Sequence, residues 1–274
     1  NPVLLAKIIS TFDQLAEGRI CINLIAGASD EEAHSEGIKI AKEERYDVME
    51  EEVEIIKALW SSAGPVDYDG RYHQLHGARI RPGIYQQPYP KFYLGGGSER
   101  AKLMSARHSD VHLFWGDHPD RIAAQIKTIR ELAGAHGRGE QIGFGMRLQI
   151  VCRETEEEAW AFANQLIEGA SDKHKDMIKT MFAASEANKR MQELSQTEGQ
   201  LIIPNLWTGI TEVRPGAGVA IVGNPEQCAA TLQRFIDVGC HSFCLSGYLH
   251  DDEAERFGAS VLPLVKANNP GRFT

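Results

Sequence analysis

Cysteine is scarce, and no pattern links the few residues present. Cys21, Cys152, Cys228, Cys240 and Cys244 are the five among 274 residues. Their number is odd and no C-x-x-C occurs, so neither a disulfide framework nor a zinc knuckle is indicated. Three of them lie in apolar, strand-like runs and read as small core residues. A reducing cytoplasm is the expected setting. Positive charge is in deficit: 29 Lys and Arg stand against 38 Asp and Glu, a formal charge of −9. That balance argues against a nucleic-acid partner, whose binders present a basic face. No apolar run reaches the roughly 18 residues of a membrane helix, and no signal-peptide pattern is present. A membrane partner is therefore not expected either. No G-x-S-x-G occurs and no cysteine stands beside a plausible base, so nucleophilic catalysis has no motif. His108, His112 and His118 share neither helical i,i+4 spacing nor a strand face with a carboxylate, so no metal is expected. Low-complexity tracts and linkers are lacking too, which leaves residues 1–274 as one domain. Residue 1 is Asn, not Met, and reads as the start of a processed product or a fragment.

What remains is an ordinary globular composition, 42% hydrophobic and 24% charged, arranged as alternating strands and helices. "NPVLLAKIISTFDQLAEG" predicts a helix capped by Asn1 and ended by Gly18. "EERYDVMEEEVEIIKALW" keeps Tyr46, Met49, Val53, Ile56 and Trp60 at helical spacing. "VDYDGRYHQL" predicts a hairpin around Asp69-Gly70. Five core strands are expected near 20–26, 91–95, 110–115, 142–152 and 241–246. The last four have the continuous apolar character of buried parallel strands. A polar helical insertion is expected at about 171–197, and "NLWTGITEVRPGAGVAIVG" after it reads as a loop. The insertion and mobile-loop region is bounded at 171–203. This is an α/β pattern. A doubly wound sheet can use five strands, whereas an eight-stranded βα barrel needs three more. In both, function belongs at the C-terminal strand ends.

Those ends carry the candidate residues. "FYLGGGSERAKLMSARHSD" is a strand, then Gly95, Gly96 and Gly97, then a helix opened by Ser98. Backbone N–H groups and a helix N-terminus converge there, which suits a phosphate; a tight capped turn with no guest is the alternative. "GAGVAIVG" fails the G-x-G-x-x-G spacing, because residue 221 is Ile, and is not a dinucleotide fingerprint. Arg147 lies inside an apolar strand and needs either a carboxylate partner or an anionic ligand. Gln149 shares its face. Arg214, in a loop with Pro215, Gly216 and Gly218, reads as a cation on a mobile lid or as an idle surface residue. Tyr248 and His250 follow the last strand, where Tyr248 can pack or donate a proton.

The stretches "TFDQLAEGRICINLIAG", "QQPYPKFYLGGGSERA", "GMRLQIVCRETEEEAW", "PNLWTGITEVRPGAGVAIVG" and "SFCLSGYLHDDEAERFG" resemble the flavin-dependent monooxygenases of the bacterial luciferase superfamily. The likeness is greatest to the two-component alkanesulfonate monooxygenases. The resemblance implies a TIM-type (β/α)8 barrel with an insertion. Aligned that way, the chain starts before the fourth barrel strand, so the first three βα units are expected to be absent. It implies reduced FMN supplied by a separate NAD(P)H-dependent flavin reductase, and cleavage of a small anionic organosulfur substrate, an alkanesulfonate, to aldehyde and sulfite. It implies FMN-phosphate contacts at Gly97, Ser98 and Tyr46, and the flavin ring against Ile25 and Ala26. Arg147, Arg214, Tyr248, Trp115 and His250 match residues that line the sulfonate pocket. A homo-oligomer is expected. Gln149 stands where the family has His, and Ala26 where it has Thr. Two other readings are a flavin-binding relative without turnover and a deazaflavin-dependent oxidoreductase.

Overall fold

A computed structural model describes residues 1–27, 30–181 and 186–273, with the backbone alone at 31, 32, 42, 43, 179, 181 and 186. The chain opens with helix α1 (Pro2–Leu15), strand β1 (Ile22–Leu24), α2 (Asp30–Ser35), the long α3 (Lys42–Ser61) and a hairpin of β2 (Val66–Asp69) and β3 (Gln74–Ala78). Then β4 (Phe92–Gly95), α4 (Glu99–His108), β5 (Val111–Trp115), α5 (Pro119–Gly134), β6 (Gly143–Cys152) and α6 (Glu156–Ile167) alternate. The insertion holds α7 (Asp172–Met181) and α8 (Glu186–Ser195), and β7 (Leu201–Ile203), β8 (Leu206–Trp207) and β9 (Ala220–Gly223) follow. The last units are α9 (Pro225–Asp237), β10 (Ser242–Ser246), α10 (His250–Arg256) and α11 (Leu262–Asn268), with a π-helical turn at 257–261 between α10 and α11.

The first helix follows from its ends. Asn1 accepts hydrogen bonds from the amides of Val3 and Leu4, and Gly18, at φ +77°, donates back to the Asp13 carbonyl. All five expected strands form, and they run parallel in the order β1-β4-β5-β6-β10. The ten-residue β6 organises the rest. Residues 143–147 pair with β5, and 149–152 pair with β9 on the same edge. Its opposite edge carries β10. Phe144, Met146, Leu148 and Ile150 face outward into the helices, where each is at most 2% exposed. Burying such a side chain contributes about 1.5–3 kcal/mol. Gly145, Arg147 and Gln149 face the other, concave side.

The sheet curls strongly about that concave side. Three strand spacings would put β4 and β10 about 14 Å apart in a flat sheet. Yet the Ser242 hydroxyl lies 3.3 Å from the Tyr93 hydroxyl. Gly145 permits this approach, since a Cβ there would sit 2.6 Å from the Ser242 carbonyl and 2.9 Å from Leu113. The sheet is thus an arc of barrel type. Among the described residues β1 and β10 do not pair, so the closed eight-stranded barrel implied by the resemblance is not formed by this chain.

Three expectations need correction. Residues 206–207 and 220–223 of the expected loop are strands, because β6 outlasts β5 and its upper edge needs a partner. The end of the insertion, 201–203, is likewise a strand, paired with β8, while residues 182–185 of the insertion lie outside the described residues. The hairpin turn spans 70–73, not Asp69-Gly70 alone, and its amides at Arg71, Tyr72 and His73 all donate to Glu51 of α3. Among the described residues no helix is long and apolar enough to cross a membrane.

Candidate functional site

The C-terminal ends of the parallel strands gather most of the expected residues. Gly95, Gly96 and Gly97 link β4 to α4. A Cβ on Gly96 would lie 2.7 Å from the Ala101 Cβ, so glycine is what lets α4 start against the turn. Among the described residues nothing lies within 4 Å of a Cβ on Gly97, which leaves that peptide open to a guest. Ser98 caps α4, its hydroxyl accepting from the Ala101 amide at 3.2 Å. Tyr46 arrives from α3, its hydroxyl 3.6 Å from the place of a Gly96 Cβ. An Arg100–Asp47 ion pair also joins the start of α4 to α3. One strand over, Ile25 and Ala26 continue β1 past its Leu24–Leu94 pairing. Ile25 is 74% exposed, a large apolar side chain left uncovered by the described residues. An open peptide, a helix N-terminus, a phenol and an adjoining apolar surface fit the phosphate and ring of a flavin nucleotide.

The second half of the site begins one strand further on. Trp115, Arg147 and Cys244 are register partners across β5, β6 and β10, so their side chains form a row on the concave face. The Arg147 guanidinium donates to the carbonyls of Leu148 at 2.8 Å and Cys244 at 3.3 Å. Among the described residues no carboxylate pairs with it, nor with Arg214. A structural ion pair therefore does not account for Arg147. Arg214 reaches to within 3.5 Å of the Tyr248 hydroxyl, and the two line a cavity of about 340 Å³ with Leu166, Ile210 and Val213. Gly216 brings the same segment over Trp115, a Cβ there lying 4.0 Å from the indole. His250 is the outlier. It is exposed at the start of α10, its ring 6.3 Å from that of Tyr248.

The Arg214 segment is tied at several points that the sequence reading missed. His174 of α7 bonds the Val213 carbonyl at 2.9 Å, and Lys175 pairs with Glu212 at 2.6 Å. Asn188 of α8 accepts from the Gly216 amide at 3.1 Å. Gln149, from below, donates through Nε2 to the Ala217 carbonyl at 3.1 Å. The insertion is itself anchored to the end of β5. Arg190 donates two 2.8 Å bonds to the buried carboxylate of Asp117, a planar fork that fixes both position and angle. The only sequence signal was an acid directly after a strand.

The histidines stand apart from this chemistry. His112 is 1% exposed on the outer face of β5, and burial holds its pKa down at about 3. Among the described residues Glu50, Glu54 and His108 bring three ligand atoms within 4.8 Å of one another. Arg107 and His108 both already bond Glu50 at 2.9 Å, which accounts for the cluster as an ion-pair network.

Comparison with known proteins adds to this geometry. A family model described as luciferase-like monooxygenase matches residues 1–242. A crystal structure of riboflavin lyase (RcaE) with modified FMN and the substrate riboflavin superposes with a TM-score of 0.81 at 20% identity, covering 100% of this chain and 69% of that one. DmoA from Hyphomicrobium sulfonivorans gives 0.80 at 19% identity, with coverage of 100% and 66%. The EDTA monooxygenase EmoA from Chelativorans sp. BNC1 gives 0.79 at 19% identity, with coverage of 100% and 72%. The chain thus spans about two thirds of the length of these proteins, whose likeness to it is one of fold.

Proposed function

The chain belongs to the luciferase-like monooxygenase family, and from that premise we propose that it is a cytoplasmic, reduced-FMN-dependent monooxygenase of small anionic organosulfur compounds, alkanesulfonates first. The observation that carries the reading is that Arg147 and Arg214 both lack carboxylate partners among the described residues, Arg147 beside Trp115 in strand register and Arg214 on the segment whose Gly216 approaches the same indole. Two such groups suit a tetrahedral sulfonate, because each can offer parallel N–H donors to its oxygens. Gly97, Ser98 and Tyr46 would hold the flavin phosphate, and Ile25 and Ala26 would offer an apolar surface to its ring. Bound reduced FMN, delivered by a separate NAD(P)H-dependent reductase, supplies the electrons and activates dioxygen. The chain's own residues bind, orient and shield. Trp115 walls the pocket against water. The Tyr248 hydroxyl beside Arg214 is the group that can give or take a proton at the substrate, with His250 towards solvent.

The test is sulfite release. The protein is incubated with FMN, a flavin reductase, NAD(P)H and a series of straight-chain alkanesulfonates. Sulfite should appear only when the reductase is present, and Arg147→Ala should remove it. A protein that binds FMN but releases no sulfite from any sulfonate would overturn the substrate assignment.

A further inference from the structure

Glu253 of α10 is a carboxylate only 2% exposed, on the helix that follows Tyr248. Its Oε1 accepts from the guanidiniums of Arg153 and, at 2.7 Å, of Arg256. Its Oε2 accepts from the Cys152 amide at the end of β6, at 3.4 Å. The stem of the side chain fills the room beside Gly247. A Cβ on Gly247 would lie 2.2 Å from the Glu253 Cγ and 3.2 Å from the Ile150 carbonyl. Only a glycine fits there, so the turn that carries Tyr248 leaves β10 through a slot with Glu253 as one wall and β6 as the other. Arg153 also stands over the ring of Phe162 on α6, 3.8 Å from its centroid. Phe162, Leu166 and Tyr248 pack against one apolar cluster, and Leu166 and Tyr248 line the cavity that Arg214 enters. An apolar residue could fill the slot without the cost of burying a charge, so stability alone does not call for an acid here.

We infer that Glu253 is a positioning residue for the proposed reaction: it sets where the Tyr248 hydroxyl stands against Arg214. The inference rests on Arg214 and Tyr248 as groups that meet the anionic substrate. The phenol oxygen and the guanidinium are 3.5 Å apart, the limit of a hydrogen bond, so a small shift of the turn parts them. Gly247 has no side chain with which to hold the turn. The ion-paired stem of Glu253 holds it instead, and the charge is what fixes the stem, since three donors from β6 and α10 converge on the carboxylate. Through Arg153 and Phe162 the same carboxylate is tied to α6, so the Tyr248 and Leu166 walls of the cavity keep one spacing. A glutamine at this position must turn its NH2 towards either the arginines or the Cys152 amide, donor against donor on both sides. Its head would swing away and the stem would follow.

A double-mutant cycle tests this, read by the binding of butane-1-sulfonate in a calorimeter without flavin. Glu253→Gln should weaken binding about tenfold. Tyr248→Phe should weaken it comparably. The double variant should bind no worse than Tyr248→Phe alone, because both changes act through one hydroxyl. A general support of the fold would instead lose the same factor in either background, and losses that multiply in this way would overturn the inference. So would a Glu253→Gln protein that binds as the wild type does. Should Glu253→Gln not fold, Arg153→Lys runs the same cycle with the same two outcomes. Lysine keeps a cation beside the carboxylate but has no planar fork to span Glu253 and Phe162. A wild type that does not bind butane-1-sulfonate at all would sink the anion reading, and this one with it.

Discussion

At the scale of single residues, the two arginines and His112 differ in what holds them. The ties on the Arg214 segment run through the Val213 carbonyl, the Gly216 amide, the Ala217 carbonyl and the Glu212 carboxylate, not through the Arg214 side chain. Arg214→Ala should therefore leave the segment in place. Its melting temperature should stay within a few degrees, as for substitutions that cost under about 0.5 kcal/mol, while sulfonate-dependent turnover falls by at least about tenfold. A large fall in melting temperature with turnover intact would make Arg214 a structural residue. His112 works in the opposite sense. Burial lowers its pKa from 6.5 to about 3. Below pH 6.5 the unfolded chain binds a proton that the folded one refuses, so stability falls as pH falls. The loss should be at most about 1.4 kcal/mol per pH unit. It should run from 6.5 down towards 3, where both states become protonated. Urea titrations at pH 7, 6 and 5 should show the midpoint falling in the wild type and flattening in His112→Leu. Parallel curves for the two proteins would assign the acid sensitivity to other groups.

At the scale of elements, the glycine turn and α4 act as one unit. Asp caps a helix about as well as Ser, so Ser98→Asp should preserve α4 while setting a carboxylate against the phosphate. FMN binding should weaken about tenfold or more, about 1.4 kcal/mol, and riboflavin binding should barely change. Equal losses for both ligands would remove the phosphate from this turn. This unit was legible in the sequence because a strand, three glycines and a cap are contiguous. So were β6 and β10, whose runs are apolar apart from Arg147 and Gln149 in the one and the terminal serines of the other. α9 was not foreseen, although Asn224 and Gln227 cap it reciprocally. Its start follows "GAGVAIVG", and glycines there masked the four-residue strand β9. The insertion's grip on Arg214 was illegible for a different reason. Asp117 meets Arg190 across 73 residues, and His174 meets Val213 across 39, separations at which no periodicity marks a partner. Arg147 was legible only as a question. Its apolar surroundings said that something must answer the charge, and the backbone carbonyls that steady it could not be read from residue types.

At the scale of the whole molecule, α1 presents its larger apolar side chains outward. Its small or polar residues Ala6, Ser10 and Asp13 are buried, and Trp60 of α3 bonds Ser10 at 3.0 Å. Leu4, Leu5, Ile8, Phe12 and Leu15 are 43–77% exposed on the opposite face. Five large apolar groups along a helix of about 20 Å form a patch of the kind that marks an association surface, and a second copy of the chain is the proposed occupant. Light scattering should give the wild type more than the 30.3 kDa of one chain. Ile8→Lys combined with Phe12→Lys should return the mass to that value without lowering the melting temperature. A wild type already monomeric at high concentration would show that copies do not meet there.

Strand β6 also sets a schedule for the chain as it is made. It is whole once residue 152 has been added, yet β9 and β10, which complete both its edges, come much later. Arg147 and the Cys244 carbonyl that receives its guanidinium are 97 residues apart. At about 5–20 residues per second, a ribosome takes on the order of 5–20 seconds to supply that stretch. Until β9 arrives at 220–223 the strand stands with one edge bare and the upper half of the other unfilled, and the β10 edge stays bare for the remainder. Nascent chains stalled between residues 152 and 220 should accordingly be the lengths that a ribosome-associated chaperone holds longest, and that proteases find most easily.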